Sequence, residues 1–304
     1  MALIALKVDV DTWRGTREGV PALMRLFEKH DVPATFLFSL GPDHTGRAIK
    51  RAFRPGFFGK VARTSVLEHY GVRTLLYGTL LPGPDIGRRE AETLRSADRA
   101  GFETGVHTWD HIRWQDGVAG ADAAWTRTEL ARATARYAEV FGRAPILHGA
   151  AGWQMNEAAY RLEGELGYRI ASDTRGHAPY LPVDAQGRAL GPPQLPTTLP
   201  TFDELLGLDG CDAGNVHERL LARTAGSGLP DQVYTLHAEL EGAKLMPAFE
   251  RLVAGWRAQG HRCTSVGAMA ATLDIAALPR CRAATGTVPG RSGMLAVQGA
   301  AGLA

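Results

Sequence analysis

Arg88-Arg-Glu-Ala-Glu-Thr-Leu-Arg-Ser-Ala-Asp-Arg-Ala100, then Gly101-Phe-Glu-Thr-Gly-Val106, then His107-Thr-Trp-Asp-His111, is the stretch that decides the fold. Arg88–Ala100 reads as a helix that stops at Gly101, and Phe102–Val106 reads as a short strand. His107 falls where that strand ends. A helix feeding a short strand that finishes on a polar residue is one repeat of an α/β unit.

The unit recurs on both sides. Upstream, Leu3–Val10 is a buried strand, Val20, Leu23, Met24 and Phe27 recur at helical spacing up to His30, and Pro33–Ser39 is a strand again. Downstream come a helix over Ala121–Phe141, a strand at Ile146–His148, a helix at Glu157–Leu166 and a strand at Tyr168–Ser172. His217–Ala225, Gln232–Leu236, Pro247–Gln259 and Arg262–Val266 then read as helix, strand, helix and strand. Repeated βα units imply a parallel sheet. The fold class is therefore α/β, a distorted, incomplete (β/α) barrel of about seven parallel strands.

Polar residues gather at the C-terminal strand ends: Asp9 and Asp11, His107, His148, Asp173 and His237. Any one of them could be an ordinary turn former, but in βα barrels this rim carries the active site. The two acids of Val8-Asp9-Val10-Asp11-Thr12 are two apart, which puts both carboxylates on one side of an extended chain. His107 and His111 are four apart and face the same way if a helix starts there. Two imidazoles and a carboxylate, supplied by Asp9 or Asp11, suit one divalent first-row cation of the zinc, manganese or cobalt class. Three protein ligands leave a position for the water that hydrolysis needs.

Composition narrows the classes. The 304 residues suffice for a full core, and Lys and Arg nearly balance Asp and Glu, leaving a net charge of +2 that gives nucleic acid no general attraction. Three cysteines without a Cys-x-x-Cys pair suggest neither a disulfide framework nor a thiolate metal site. The apolar start is too short for a signal-peptide core, and no uninterrupted apolar run reaches spanning length.

Two segments interrupt the alternation, Gly41–Gly87 and the proline-rich Pro179–Leu208, and long loops of this kind are usually functional or disordered. Between Arg47 and Arg73, seven bases face one acid, Glu68. They include Arg47, Lys50, Arg51, Arg54 and Lys60, and alternate with Ile49, Phe53, Phe57, Phe58, Val61 and Leu67. That mixture suits an anionic membrane surface, although a solvated helix pair has the same composition. Residues 1–275 read as one catalytic domain carrying the insert 41–87. Residues 279–304, rich in Gly and Ala, read as a flexible tail.

The strand-end motifs, in this order over residues 3–275, resemble those of the polysaccharide deacetylase (NodB-homology) family. The resemblance implies that Asp9 is the catalytic base, that Asp11, His107 and His111 hold the metal, and that His237, in Thr-Leu-His, is the general acid tuned by Asp173. There are departures. The first motif reads Val-Asp-Val-Asp-Thr in place of Thr-Phe-Asp-Asp-Gly. His148-Gly-Ala-Ala-Gly-Trp153 stands where the family has Arg followed by two prolines, so the usual Arg partner of the base is missing and His148 takes its position.

These variants, with Gly41-Pro-Asp-His-Thr-Gly-Arg47 and Thr235-Leu-His-Ala-Glu-Leu-Glu-Gly242, are similar to the branch that deformylates an amino sugar on undecaprenyl phosphate. The partners then implied are that polyprenyl-phosphate-linked sugar and the cytoplasmic face of the inner membrane, met peripherally, in lipid A modification with aminoarabinose. His148, Trp109 and Trp153 are candidates to contact the sugar. Two other classes fit less well: a deacetylase of an exported polysaccharide or oligosaccharide, and a catalytically silent binder of polyprenyl phosphate.

Overall fold

Alternate residues of Leu3–Val10, strand β1, pack on opposite sides. Ile4, Leu6, Val8 and Val10 join Phe36 and Phe38 in the main core, beneath the helices. Ala5 belongs to a separate cluster with Leu37, Leu147, Leu195 and Val233, which lines the inside of the curled sheet. Since side chains alternate along a strand, Lys7 and Asp9 share the inward side with Ala5. In this computed structural model residues 1–48 and 72–301 are described.

After β1 come β2 (Thr35–Ser39), β3 (Glu103–Thr108), β4 (Leu147–His148), β5 (Ile170–Ala171), β6 (Leu181–Val183), β7 (Gln232–His237) and β8 (Arg262–Thr264). Seven of these make one parallel sheet in the order β5-β4-β3-β2-β1-β7. There β8 pairs with Leu3–Ala5 of β1, and β2 pairs with Lys7–Val10. The register brings Asp9 opposite His237 and Val106 opposite His148, so the polar strand ends lie at one level. The sheet curls into the half-barrel that the strand count implies.

Helices α1 (Val20–His30), α2 (Ala91–Arg99), α3 (His111–Gly117), α4 (Ala123–Phe141), α5 (Glu157–Glu165), α6 (Val216–Thr224) and α7 (Met246–Ala258) surround it. Their limits follow local chemistry. The Asp110, Asp122 and Asn156 side chains accept the backbone N–H groups of Arg113, Trp125 and Ala159 at the starts of α3, α4 and α5. Gly142, at φ 71°, ends α4.

The gap between β5 and β7 is filled by the proline-rich segment. Ala171 N donates to Pro193 O and Leu195 N to Ala171 O, and further along Thr198 N donates to Val233 O. This long loop is thus an ordered closing piece of the barrel.

The reading of residues 279–304 as a flexible tail is corrected for 279–301, the part of it that is described. Arg280–Gly286 (β9) and Leu295–Ala301 (β10) form a hairpin that joins β6 in a second, three-stranded sheet. Cys281, Leu295 and Ala296 are buried, and Gln154 donates its side-chain amide to Met294 O. Small residues here allow close packing rather than looseness.

Candidate metal centre and active site

Three side chains converge at the C-terminal rim. His107 is the inward residue at the end of β3, His111 opens α3, and Asp11 follows β1. Asp11 Oδ1 lies 3.2 Å from His107 Nε2, and Oδ2 lies 3.4 Å from His111 Nε2. The Asp110 cap starts α3 at His111, which brings the second imidazole to within 5.4 Å of the first, centroid to centroid.

The chemistry of this donor set fits a cation. His107 Nδ1 is 2.6 Å from Gly149 O, a contact that requires its proton there and leaves the Nε2 lone pair facing Asp11. A lone pair and a buried carboxylate oxygen 3.2 Å apart repel unless a cation sits between them. Asp11 Oδ1 has no hydrogen-bond partner among the described residues. The three residues form a metal-competent group by spacing. Burial opposes charge on Asp11, but the field of His111 above all outweighs it and holds the carboxyl well below the usual range.

Asp9 lies beside this group, its Oδ1 3.8 Å from His107 Nδ1. Its other oxygen, Oδ2, accepts from Lys7 Nζ at 3.1 Å, and Lys7 is completely buried. His237, at the end of β7, is buried with its Nδ1 unpartnered among the described residues. The backbone N–H of His237 donates to Glu241 at 2.9 Å. Burial first of all pushes Glu241 up to about 7, against the opposing field of His237.

Glu239 supports the first motif from below. Its Oε1 accepts from Asp11 N, Thr12 N and the Thr12 hydroxyl. A Cβ at Gly15 would come within 1.9 Å of that same oxygen, so glycine is required for the approach. Lys7, Glu239 and Glu241 are absent from the candidates drawn from sequence. The period-two rule that pairs Asp9 with Asp11 also reaches Lys7, whereas Glu239 and Glu241 lie in the turn after β7, where no strand period applies.

Three sequence assignments are corrected. His148 follows inward-facing Leu147 and therefore points out of the barrel. It is fully buried, with Nδ1 2.6 Å from Glu163 and 2.9 Å from Asp173, so it offers no surface to a sugar. Burial disfavours its charge, but Asp173 and Glu163 prevail and push it up to about 10. Asp173 spends its oxygens on His148, Ala150 N and Gln194, and none of these described bonds is to His237. Its strand, β5, lies at the opposite end of the sheet from β7. Trp153 is buried, with Lys7, Arg175 and Arg291 at 5.3, 5.0 and 4.6 Å from its ring centroid, which leaves no open face for stacking.

Trp109 is half-buried with Arg136 over its ring, and Arg47 donates to Gly78 O. Lys50, Arg51, Arg54 and Lys60 lie outside the described residues.

Residues 3–171 match the polysaccharide deacetylase family model. The chain belongs to the polysaccharide deacetylase family. As a member it is a hydrolase of amide bonds. A protein of Shewanella sediminis (strain HAW-EB3), named a probable 4-deoxy-4-formamido-L-arabinose-phosphoundecaprenol deformylase, is 39% identical over 250 residues, 82% of this chain and 80% of that one. A protein of the same name from Wigglesworthia glossinidia brevipalpis is 29% identical over 285 residues, 93% of this chain and 98% of that one. A crystal structure from Mycobacterium smegmatis, assigned to the polysaccharide deacetylases, superposes with a TM-score of 0.63 at 20% identity. It covers 95% of this chain and 94% of its own, and shows the shared fold.

Proposed function

We propose that this deacetylase-family hydrolase removes the formyl group from 4-deoxy-4-formamido-L-arabinose carried on undecaprenyl phosphate, releasing formate and the free amine on the route to aminoarabinose-modified lipid A. The observation that carries the reading is the metal-competent group of Asp11, His107 and His111 beside Asp9 and His237, in a chain 39% identical to a protein of that name. One divalent ion of the zinc, manganese or cobalt class, held by that group, would polarise the formyl carbonyl and acidify the attacking water. Asp9 accepts the proton of the water as its oxygen bonds to the formyl carbon. His237 donates a proton to the sugar nitrogen as the C–N bond breaks, which an amine leaving group requires.

The polyprenyl carrier implies a peripheral site at the cytoplasmic face of the inner membrane. Among the described residues no helix is long and apolar enough to cross a membrane. Support for surface contact comes from the basic and aromatic run within 47–73, whose Val72 is 67% exposed, and from Leu80, which is 81% exposed.

The test is formate release from a water-soluble formamido-arabinose phosphate, run with chelated and metal-restored protein and against the acetamido analogue. Formate release that disappears on chelation and returns with metal supports the reading. Preference for the acetamido compound would assign the chain to sugar deacetylation, and inertness toward both would leave it a binding protein.

A further inference from the structure

Lys7 is a fully buried cation on the inner side of the barrel wall, one step below Asp9 on the same strand. Burying an ammonium group is costly, and an aliphatic residue would fill such a place at lower cost if packing were its only role. Its surroundings are tight: a Cβ at Gly149 would lie 2.3 Å from Leu37 Cδ1 and 2.9 Å from Lys7 Cε, so a larger residue there would press on both side chains. The Trp153 ring stands 5.3 Å from Nζ and is itself fixed by an indole N–H bond to Thr197 Oγ1 at 3.1 Å. Trp153 holds a left-handed backbone angle, φ 52°, that a tryptophan seldom adopts.

The two oxygens of Asp9 are then unequal. Oδ2 is tied to Lys7 at 3.1 Å, while Oδ1 has no hydrogen-bond partner among the described residues and lies on the His107 side. We propose that Lys7 is a positioning residue for Asp9: it holds Oδ2 so that Oδ1 is presented to the reacting water beside His107. This rests on the reading of Asp9 as the base. The cation missing from the third motif is thereby supplied from the first strand.

The experiment compares Lys7→Gln, Asp9→Asn and the double variant on the water-soluble formamido-sugar phosphate, with metal content measured on each protein. Lys7→Gln should lower kcat about 10- to 100-fold, within the range that general-base catalysis supplies, while KM and bound metal stay at wild-type levels. Adding Lys7→Gln to Asp9→Asn should cost nothing further, because the group that Lys7 serves is already gone. A kcat within twofold of wild type, or full multiplication of the two losses, would overturn the proposal.

Should Lys7→Gln fail to fold, Lys7→Met in the Asp9→Asn background removes both buried charges together. Its rate should equal that of Asp9→Asn alone, and a further tenfold loss would count against Lys7 acting through Asp9. Crystal structures of wild type and Lys7→Gln give a readout apart from activity, in which the Asp9 carboxylate should rotate away from His107. An unmoved carboxylate refutes the role of Lys7, whereas inertness of the wild type toward both formyl and acetyl substrates would refute the functional reading instead.

Discussion

Under the proposed function each side chain at the rim has a separable role. His107→Ala or His111→Ala should lose bound metal and hydrolysis together, since two remaining ligands hold a divalent ion poorly. Elemental analysis of the purified variants checks this, and full occupancy in either would remove the metal assignment. Asp9→Asn should keep its metal yet slow by about 100- to 10,000-fold, while Asp11→Asn should weaken metal binding. A reversed pattern would exchange base and ligand. Glu241 gives a pH signature: its folded-state pKa is raised to about 7, so the native state keeps a proton that the unfolded chain releases from about pH 4.5 upward. Stability contributed by this group is therefore lost as pH rises from about 4.5 through 7. Relative to wild type, Glu241→Gln should gain up to about 3 kcal/mol across that window in urea titrations. A constant difference would refute it. Much of this was legible in the sequence. Asp9, Asp11, His107, His111 and His237 could be read from strand-end position and spacing, and the outward turn of His148 follows from inward Leu147 by the same alternation. The Asp173–His148–Glu163 contact was not legible, because Glu163 lies on α5 and only packing brings that helix over β4.

Elements differed in how plainly they showed. The β1, β2, β3 and β7 strands are long enough to carry a periodic signal, and α1, α4 and α7 follow their apolar spacing to within a few residues. The β4 and β5 strands have two residues each and show no period of their own; the βα alternation located them. The β9–β10 hairpin was hidden because Ala, Gly and Thr resemble a linker in composition, while pairing with β6 is a long-range event. Its role is measurable. Arg291, in the turn, donates to Glu204 at 2.9 Å and to Asp203 at 3.0 Å, and lies against Trp153. Arg291→Ala should destabilise by about 2 kcal/mol, the scale of hydrogen bonds to charged groups, since Arg175 still pairs with Glu204. Removing 279–304 should cost more, because it also deletes the buried Cys281, Leu295 and Ala296 and exposes the surface they cover. Thermal melts of both proteins decide the matter, and an unchanged melting temperature on truncation would mean that the hairpin is an ornament.

At the scale of the whole molecule, chemistry and surface attachment should come apart. Replacing Lys50, Arg51, Arg54 and Lys60 with Gln should weaken adsorption to anionic vesicles by about 4 kcal/mol at low salt, while formate release from the soluble substrate stays nearly constant. Co-sedimentation measures the first; unchanged adsorption would sink the surface role. The barrel was legible from seven strands alternating with helices, but its means of closure was not, because Gly191–Pro200 carries no strand pattern of its own. That closure bears on how the protein behaves in a crowded solution. An open parallel sheet ends in two rows of unused backbone groups, each a template for another chain. Here the borders of β5 and β7 are occupied by a segment containing Pro192, Pro193, Pro196 and Pro200, which have no N–H to extend a ladder outward. Exchanging Gln194–Leu199 for a Gly-Ser linker should therefore produce concentration-dependent association by light scattering, because the gap filler is also the barrier that keeps neighbouring copies from joining sheet to sheet.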